Sequence, residues 1–517
     1  MEAIGDLIGG FGMLFGDPEA LFFTILAAFV GIVFGALPGL TASAAIAMLL
    51  PLSFYLGPLP ALAFLYVIGK SGRYGGSIAA ILFNTPGTAA SAATMLDGHP
   101  MAKRGQPNRA LRTATVASVF GDYVGEVILI FGAVWIAQYT RTFGPTEYFA
   151  IYAMAFVVIG SVVGKSVLRG ILSVVFGALV ALIGTDIITN TPRLTFGAPE
   201  LRDGMSLVPL LIGVFVISEI VVQAERMAKG ELVDAGLADT HRDDRLTFAE
   251  VRRLVPLMAR SSLMGSFIGM MPGLGSSVAC FVAYGEEKRR APNGAEWGTG
   301  TIEGIAAPES ANNAVSGPSM IPLLTLGVPG STVAAVLIGV FLIHGIQIGP
   351  LLFSDTNMII TDTGDFFSSR ELIFALFAAG LVGIAAYGAM GFWGGPLIGK
   401  TIARVPPRFL YPFIFLTAVT ASYSARAQIM DVGIALLFGV IGYAMRRTDF
   451  SAAAFVIAFV LAGRMEESFR QALLLSDDGA LIFLREPVAG GFLVVAVLVV
   501  AVRLIGQRRQ ARRVAAS

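Results

Sequence analysis

Four proline–glycine pairs, each followed by hydroxyl side chains, have the residue types and spacing to do chemistry. They are Pro38-Gly39 with Thr41 and Ser43, Pro86-Gly87 with Thr88 and Ser91, Pro272-Gly273 with Ser276 and Ser277, and Pro329-Gly330 with Ser331 and Thr332. Proline lacks a backbone N–H and clashes with the preceding turn, while glycine accepts positive φ, so each pair stops a helix and lets the chain restart. Ser and Thr then cap the new helix. A helix N-terminus presents free N–H groups and about half a positive charge, which attracts carboxylates. The helix that stops presents free carbonyls, which suit Na⁺. Asn84 and Thr85 stand directly ahead of the second pair, in "NTPGTAAS", and are counted with it. A single Pro-Gly pair is most simply a kink or a turn. Four of them, in two related halves, fit a carboxylate carrier better than a pore.

Other polar residues interrupt otherwise apolar tracts. Glu309, Asn312 and Asn313 in "APESANNA" offer a carboxylate and two amides suited to a coupling cation, or they cap a helix at the interface. Lys70 and Arg73 in "GKSGRYGGS" are suited to a substrate carboxylate, or they snorkel to the membrane surface. Asp122 and Glu126, one turn apart, form a proton or cation site or lie near a membrane face. Asp186 and Arg193 read as a loop, and His344 and Cys280 as packing residues.

The elements that must position these residues are membrane helices. The chain is 55% hydrophobic and 14% charged, with mean hydropathy +0.76, against about 25% charged residues in soluble domains. Ala20 to Gly69 contains no charged residue. As one helix that tract would be roughly 75 Å long against a hydrocarbon core of about 30 Å, so it folds back. The apolar tracts predict an all-α polytopic membrane protein with about ten to thirteen crossing or re-entrant segments. A net charge of +1 gives nucleic acid no purchase, and one cysteine excludes an intrachain disulfide. Glu2 and Asp6 precede the first apolar tract where a signal peptide would be basic, and the basic tail from Arg503 to Arg513 places the C-terminus in the cytoplasm.

The chain repeats itself. "GIVFGALPGLTAS" (31–43) matches "GSFIGMMPGLGSS" (265–277) at offset 265 − 31 = 234, and "LFNTPGT" (82–88) matches "TLGVPGS" (325–331) at offset 325 − 82 = 243. This predicts a first membrane repeat over 1–224, a cytoplasmic linker over 225–253 and a second repeat over 254–517. Basic residues follow the second motif of the first half (97–112) and the first motif of the second half (286–290), while the equivalent loops (344–355 and 52–56) lack them. Equivalent loops of opposite charge habit predict inverted repeats with discontinuous helices. Gly31/Gly35 and Gly265/Gly269 predict close helix packing.

The motifs "GALPGLTAS", "YGGSIAAILFNTPGT", "DGHPMAKRGQPNRAL", "RLTFGAPELRDG", "GMMPGLGSS", "APESANNA" and "PLLTLGVPGS" together resemble the large membrane subunit of the tripartite tricarboxylate transporters, over nearly the whole chain. The resemblance implies a permease for small di- or tricarboxylates in a bacterial inner membrane. It also implies a small membrane subunit, a periplasmic substrate-binding protein, coupling to Na⁺ or H⁺, and an elevator-type arrangement, with no cofactor. The expected site encloses the substrate with the amides and hydroxyls of the four breaks. Carbonyls at the same loops, with Asn312 and Asn313, hold the cation. A channel and a membrane-embedded enzyme are the alternatives. The enzyme is disfavoured because the three histidines lie far apart and no HExxH motif is present.

Overall fold

The computed structural model describes residues 2–162, 166–186, 189–230, 244–292, 294–355, 357–360, 366–477 and 479–516. Helices α1 (Glu2–Gly16), α2 (Pro18–Ala36), α3 (Ala42–Leu49), α4 (Pro58–Phe83), α5 (Ser91–Lys103), α6 (Pro107–Thr140), α7 (Pro145–Val162) and α8 (Val167–Ala181) come first. A short antiparallel ribbon of β1 (Gly184–Thr185) and β2 (Pro192–Arg193) follows. Next are α9 (Leu207–Leu211), α10 (Ser218–Ala228), α11 (Phe248–Gly269), α12 (Gly275–Arg290), α13 (Ile302–Ala314), α14 (Ile321–Leu326) and α15 (Thr332–Ile343). A second ribbon, β3 (Met358–Ile360) against β4 (Phe366–Ser368), leads to α16 (Ser369–Ala403), α17 (Pro407–Ser424), α18 (Ile429–Arg447), α19 (Ala452–Leu474), α20 (Ile482–Arg485) and α21 (Pro487–Ala516).

Among the described residues six helices are long and apolar enough to cross a membrane, and a pair bent by 81° near the C-terminus makes a seventh if it counts as one span. Three shorter apolar helices, at 42–55, 167–181 and 332–343, add to these. The count from apolar tracts alone is higher because it includes re-entrant pieces and segments that carry charge. Helix α4 is 26 residues long, but Lys70 and Arg73 dilute its hydropathy. It is buried from Leu59 to Phe83, as a helix enclosed on all sides by protein must be if it carries charge at that depth.

The two halves share internal contacts. A Cβ at Gly31 would press on the Ile68 carbonyl and one at Gly35 on the Gly72 carbonyl, while one at Gly265 would press on the Ala311 carbonyl and one at Gly269 on the Val315 carbonyl. Ile68 and Ala311, like Gly72 and Val315, are 243 positions apart. Small residues let helix backbones touch, so α2 meets α4 as α11 meets α13. The breaks match as well. Gly39 and Gly273 take φ of 84° and 87°, and Asn84 and Gly327 close the two preceding helices at φ of 51° and 74°. Gly87 abuts Gly76 as Gly330 abuts Ser319, again 243 apart. Helix α4 is one continuous rod, whereas its counterpart is divided into α13 and α14 around Pro318.

The basic segments lie together. Residues 97–112, expected as a loop, form the end of α5, a short turn and the start of α6. Both oxygens of Asp97 are taken up by the 298–301 turn and Tyr284. The Gly298, Gly300 and Thr301 amides donate at 3.0, 2.9 and 2.8 Å, and the Tyr284 hydroxyl at 2.8 Å. Arg104 donates to the Gly300 carbonyl at 2.7 Å. On the linker side, Asp244 accepts from the Arg109 amide at 2.8 Å, and Glu250 pairs with the Arg109 side chain. Of the expected linker, residues 231–243 lie outside the described residues, while α10 and α11 run into it from either end. The side chains of the basic tail beyond Ile505 also lie outside them.

Candidate functional site

The four helix restarts meet at one cavity of about 280 Å³. Thr41 and Ser43 line it at the start of α3, Thr88 on the approach to α5, Gly273, Ser276 and Ser277 around the start of α12, and Gly330, Ser331 and Thr332 at the start of α15. Arg73 of α4 and Asn312 of α13 enter from the two buried helices, and Ala453 and Ile457 of α19 close the wall. Two restarts carry the caps that their hydroxyls predict: Thr41 Oγ1 accepts from the Ala44 amide and Ser331 Oγ from the Ala334 amide, each at 3.2 Å. In the turn before α5, whose own cap position is Ala90, Thr88 Oγ1 accepts from the Ser91 amide at 3.2 Å. Helix α12 starts at Gly275 behind Leu274 with no side-chain cap, because Gly275 stands where the first half has Thr41. Its leading amides therefore stay open for a ligand.

The electrostatics of this cavity favour an anion. Four helix N-termini at about half a charge each, with one guanidinium, sum to roughly +3 before screening. Arg73 is only 6% exposed, donates to Ser276 Oγ at 3.3 Å and leaves Nε without a partner. No carboxylate lies within ion-pair distance of it among the described residues. A buried cation without a partner is costly and gains most from an anion that arrives. Asn312 is 1% exposed, and both its amide oxygen and its amide nitrogen lack partners. Buried polar atoms are normally satisfied, so this side chain is prepared for a polar ligand.

The remaining candidates lie elsewhere. Pro38, Gly39, Asn84, Thr85, Pro86, Gly87, Pro272 and Pro329 shape the breaks without lining the cavity. The Pro38 carbonyl accepts from the Tyr411 hydroxyl at 3.1 Å, and Gly39 packs against Glu219 and Gln223 of α10. Lys70 neither lines the cavity nor reaches a surface. Its Nζ is 2.7 Å from Asp122 Oδ1 and 2.7 Å from Glu126 Oε2, and all three side chains are fully buried. The Tyr66 hydroxyl donates to Glu126 Oε2 at 2.8 Å and the Tyr387 hydroxyl to Asp122 Oδ2 at 3.1 Å. Glu309 is held by the Thr94 hydroxyl and by the Ser118 hydroxyl at 2.9 Å, away from the cavity. Asn313 donates to the Glu309 carbonyl at 3.0 Å and keeps a free Oδ1. Asp186 pairs with Arg193 and Arg470 beside the first ribbon, and Cys280 packs with its thiol on the Pro308 carbonyl. No group of three or more His, Cys, Asp and Glu side chains that could hold a metal occurs among the described residues.

Residues 21–457 match the family described as the tripartite tricarboxylate transporter TctA family. The chain belongs to that family. An uncharacterized 52.8 kDa protein of the TAR-I ttuC' 3' region of Agrobacterium vitis is 33% identical over 99% of this chain and 98% of its own length. An uncharacterized protein of the TAR-II ttuC' 3' region of the same organism is 34% identical over 48% of this chain and 97% of its own length. No solved structure matches the chain. As a TctA-family protein it is a multi-pass membrane component of a tricarboxylate transporter, and the tripartite organisation of the family implies partner subunits.

Sequence reasoning missed two parts of this TctA-family structure. Ala453 and Ile457 sit in "SAAAFVIAFVLAG", which carries no mark that separates a cavity wall from a lipid-facing helix. The Lys70 triad did leave a signal. Tyr66 and Lys70 are four apart on α4, and Asp122 and Glu126 are four apart on α6, so each pair shares a helix face.

Proposed function

We propose that this chain is the permease of a secondary uptake system for small di- or tricarboxylates in a bacterial inner membrane, and that the cavity at the four breaks holds the substrate. The observation that carries the reading is the convergence of four helix restarts on an unpaired, buried Arg73. Helix amides, the Ser43, Thr88, Ser276 and Ser277 hydroxyls and the Arg73 fork bind the carboxylates. Asn312 spans the acid's remaining polar groups or joins the break carbonyls around a coupling Na⁺. A periplasmic binding protein delivers the substrate and a small membrane subunit completes the complex.

The matched contacts at offsets 234 and 243 support two related repeats, 1–224 and 254–517, joined by a linker at 225–253, and the opposite charge habit of their equivalent loops favours opposite orientation with the linker in the cytoplasm. The clustering of 97–112, 244–250 and 298–301 supports one cytoplasmic face for the basic segments, and the basic tail from Arg503 to Arg513 favours the C-terminus on that side. An elevator-type movement would carry the cavity between faces. The test is citrate uptake into proteoliposomes that contain the permease and both partners, under an imposed cation gradient. Ser43→Ala, Thr88→Ala, Ser277→Ala and Asn312→Ala should each lower uptake at least several-fold. Normal uptake by all four, in protein of wild-type stability, would refute the site.

A further inference from the structure

Helices α4 and α6 seal an ion cluster that the substrate cavity does not use. One ammonium, Lys70, sits between two carboxylates, and all three groups are 0% exposed. The two carboxylates are not equivalent. Asp122 has both oxygens engaged, by Lys70 and by the Tyr387 hydroxyl. Glu126 receives Lys70 and the Tyr66 hydroxyl on Oε2, while Oε1 has no partner and faces Gly380 of α16. The ionised cluster thus keeps one net negative charge in a dry interior, concentrated on an oxygen that no donor touches. An ionised group so placed is among the most costly arrangements in a protein, and neutralisation is the usual relief.

We propose that Glu126 binds and releases the coupling proton, with Lys70 and Asp122 as its fixed counter-charges. The proposal rests on the transport reading above for what the proton drives. The step is a simple protonation: one H⁺ from water adds to the Glu126 carboxylate, and the same H⁺ leaves when the site opens to the other face. The neighbouring groups set the balance. Tyr66, Lys70 and Arg73 come from α4, Asp122 and Tyr123 from α6, and Tyr387 from α16. Glu309 of α13 lies on the Ser118 side of α6. Of the charged residues on the other helices packed on α6, Asp6 of α1 pairs with Arg370, Asp97 of α5 is held by the 298–301 turn, and Glu250, Arg253 and Arg260 of α11 pair with Arg109, Glu303 and Glu287; His99 and Lys103 of α5, Arg252 of α11 and Lys400 of α16 also belong to these helices. Helix α14 contains no titratable residue.

Arg73 stands outside this triad and makes no ion pair with either carboxylate. Arg73 stands three residues, roughly 4.5 Å along the axis, from Lys70 on the same helix. When a substrate carboxylate engages Arg73, the positive charge beside the triad is neutralised and Glu126 takes a proton in response. By linkage, the proton on Glu126 tightens carboxylate binding by the same factor.

Two measurements on the purified full-length protein test this. In weak buffer with a pH-indicator dye, citrate addition should draw about one proton per site from solution in wild type. Glu126→Gln should bind citrate and draw none. Independently of any substrate, infrared difference spectra across a pH titration should show a protonated-carboxyl band. That band should be absent in Glu126→Gln and present in Glu309→Gln. If Glu126→Gln does not fold, Glu126→Asp should shift the midpoint of the band. A band unchanged in Glu126→Gln or Glu126→Asp, or lost in Glu309→Gln instead, overturns the assignment. A wild type that binds no citrate would sink the transport reading, and the infrared titration would still decide Glu126.

Discussion

Replacing Arg73 with Met separates binding from stability, because the two should move in opposite directions. Arg73 is 6% exposed and lies in the cavity without an anionic partner. A carboxylate at about 4 Å from the guanidinium interacts by roughly 4 kcal/mol at an effective dielectric of 20, and a charge-assisted hydrogen bond contributes about 1.5–3 kcal/mol net. A loss of about 2–4 kcal/mol corresponds to a dissociation constant about 30-fold to nearly 1,000-fold higher. Arg73→Lys keeps the charge and loses the bidentate fork, so about tenfold is expected. In the ligand-free protein, Met fills similar volume and removes an uncompensated buried charge, so the melting temperature should hold or rise. The assay is titration of purified protein with radiolabelled citrate, beside thermal unfolding with and without ligand. Citrate binding by Arg73→Met within threefold of wild type would refute the anion site. A large fall in melting temperature for the same variant would show that Arg73 is instead a structural residue.

Three further outcomes follow from the packing. Lys70→Met strands two carboxylates and should cost about 3–5 kcal/mol, while Lys70→Met with Glu126→Gln should recover part of that loss; thermal melts of the single and double variants check the coupling, and strictly additive effects would contradict the shared ion pair. Asp97→Ala removes the acceptor for three backbone amides and a tyrosine hydroxyl, and the loss of these charge-assisted hydrogen bonds, about 1.5–3 kcal/mol for a bond to a charged group, should leave the 298–301 turn rapidly cleaved in limited proteolysis. Gly35→Ala should destabilise more than Gly269→Ala, within the usual range of about 1–3 kcal/mol for overpacking, because a Cβ at Gly35 overlaps the Gly72 carbonyl whereas one at Gly269 stays 3.0 Å from the nearest Val315 atom. Melting temperatures in the reverse order would contradict the packing.

Much of this architecture is legible in the sequence because its cues are local. Hydropathy fixes the membrane class. Pro-Gly pairs mark chain breaks through a missing N–H and a permitted positive φ, and hydroxyls three residues ahead of an amide mark caps; Thr41 and Ser331 each occupy that position. Self-similarity at offsets 234 and 243 marks the duplicated contacts, since Gly35 and Gly269 must both admit a neighbouring backbone. What the sequence alone leaves open is how side chains on different helices are partnered. Lys70 and Arg73 are one turn apart and chemically alike, yet one is locked between Asp122 and Glu126 while the other faces the cavity unpaired. Glu309 and Asn312, also three apart, divide in the same way between a hydroxyl cage and the cavity wall. A helix turns about 100° per residue, so three positions move a side chain by roughly 60° around the axis. Which neighbour stands at each angle is set by packing between segments distant in the chain, and only the tertiary structure decides it.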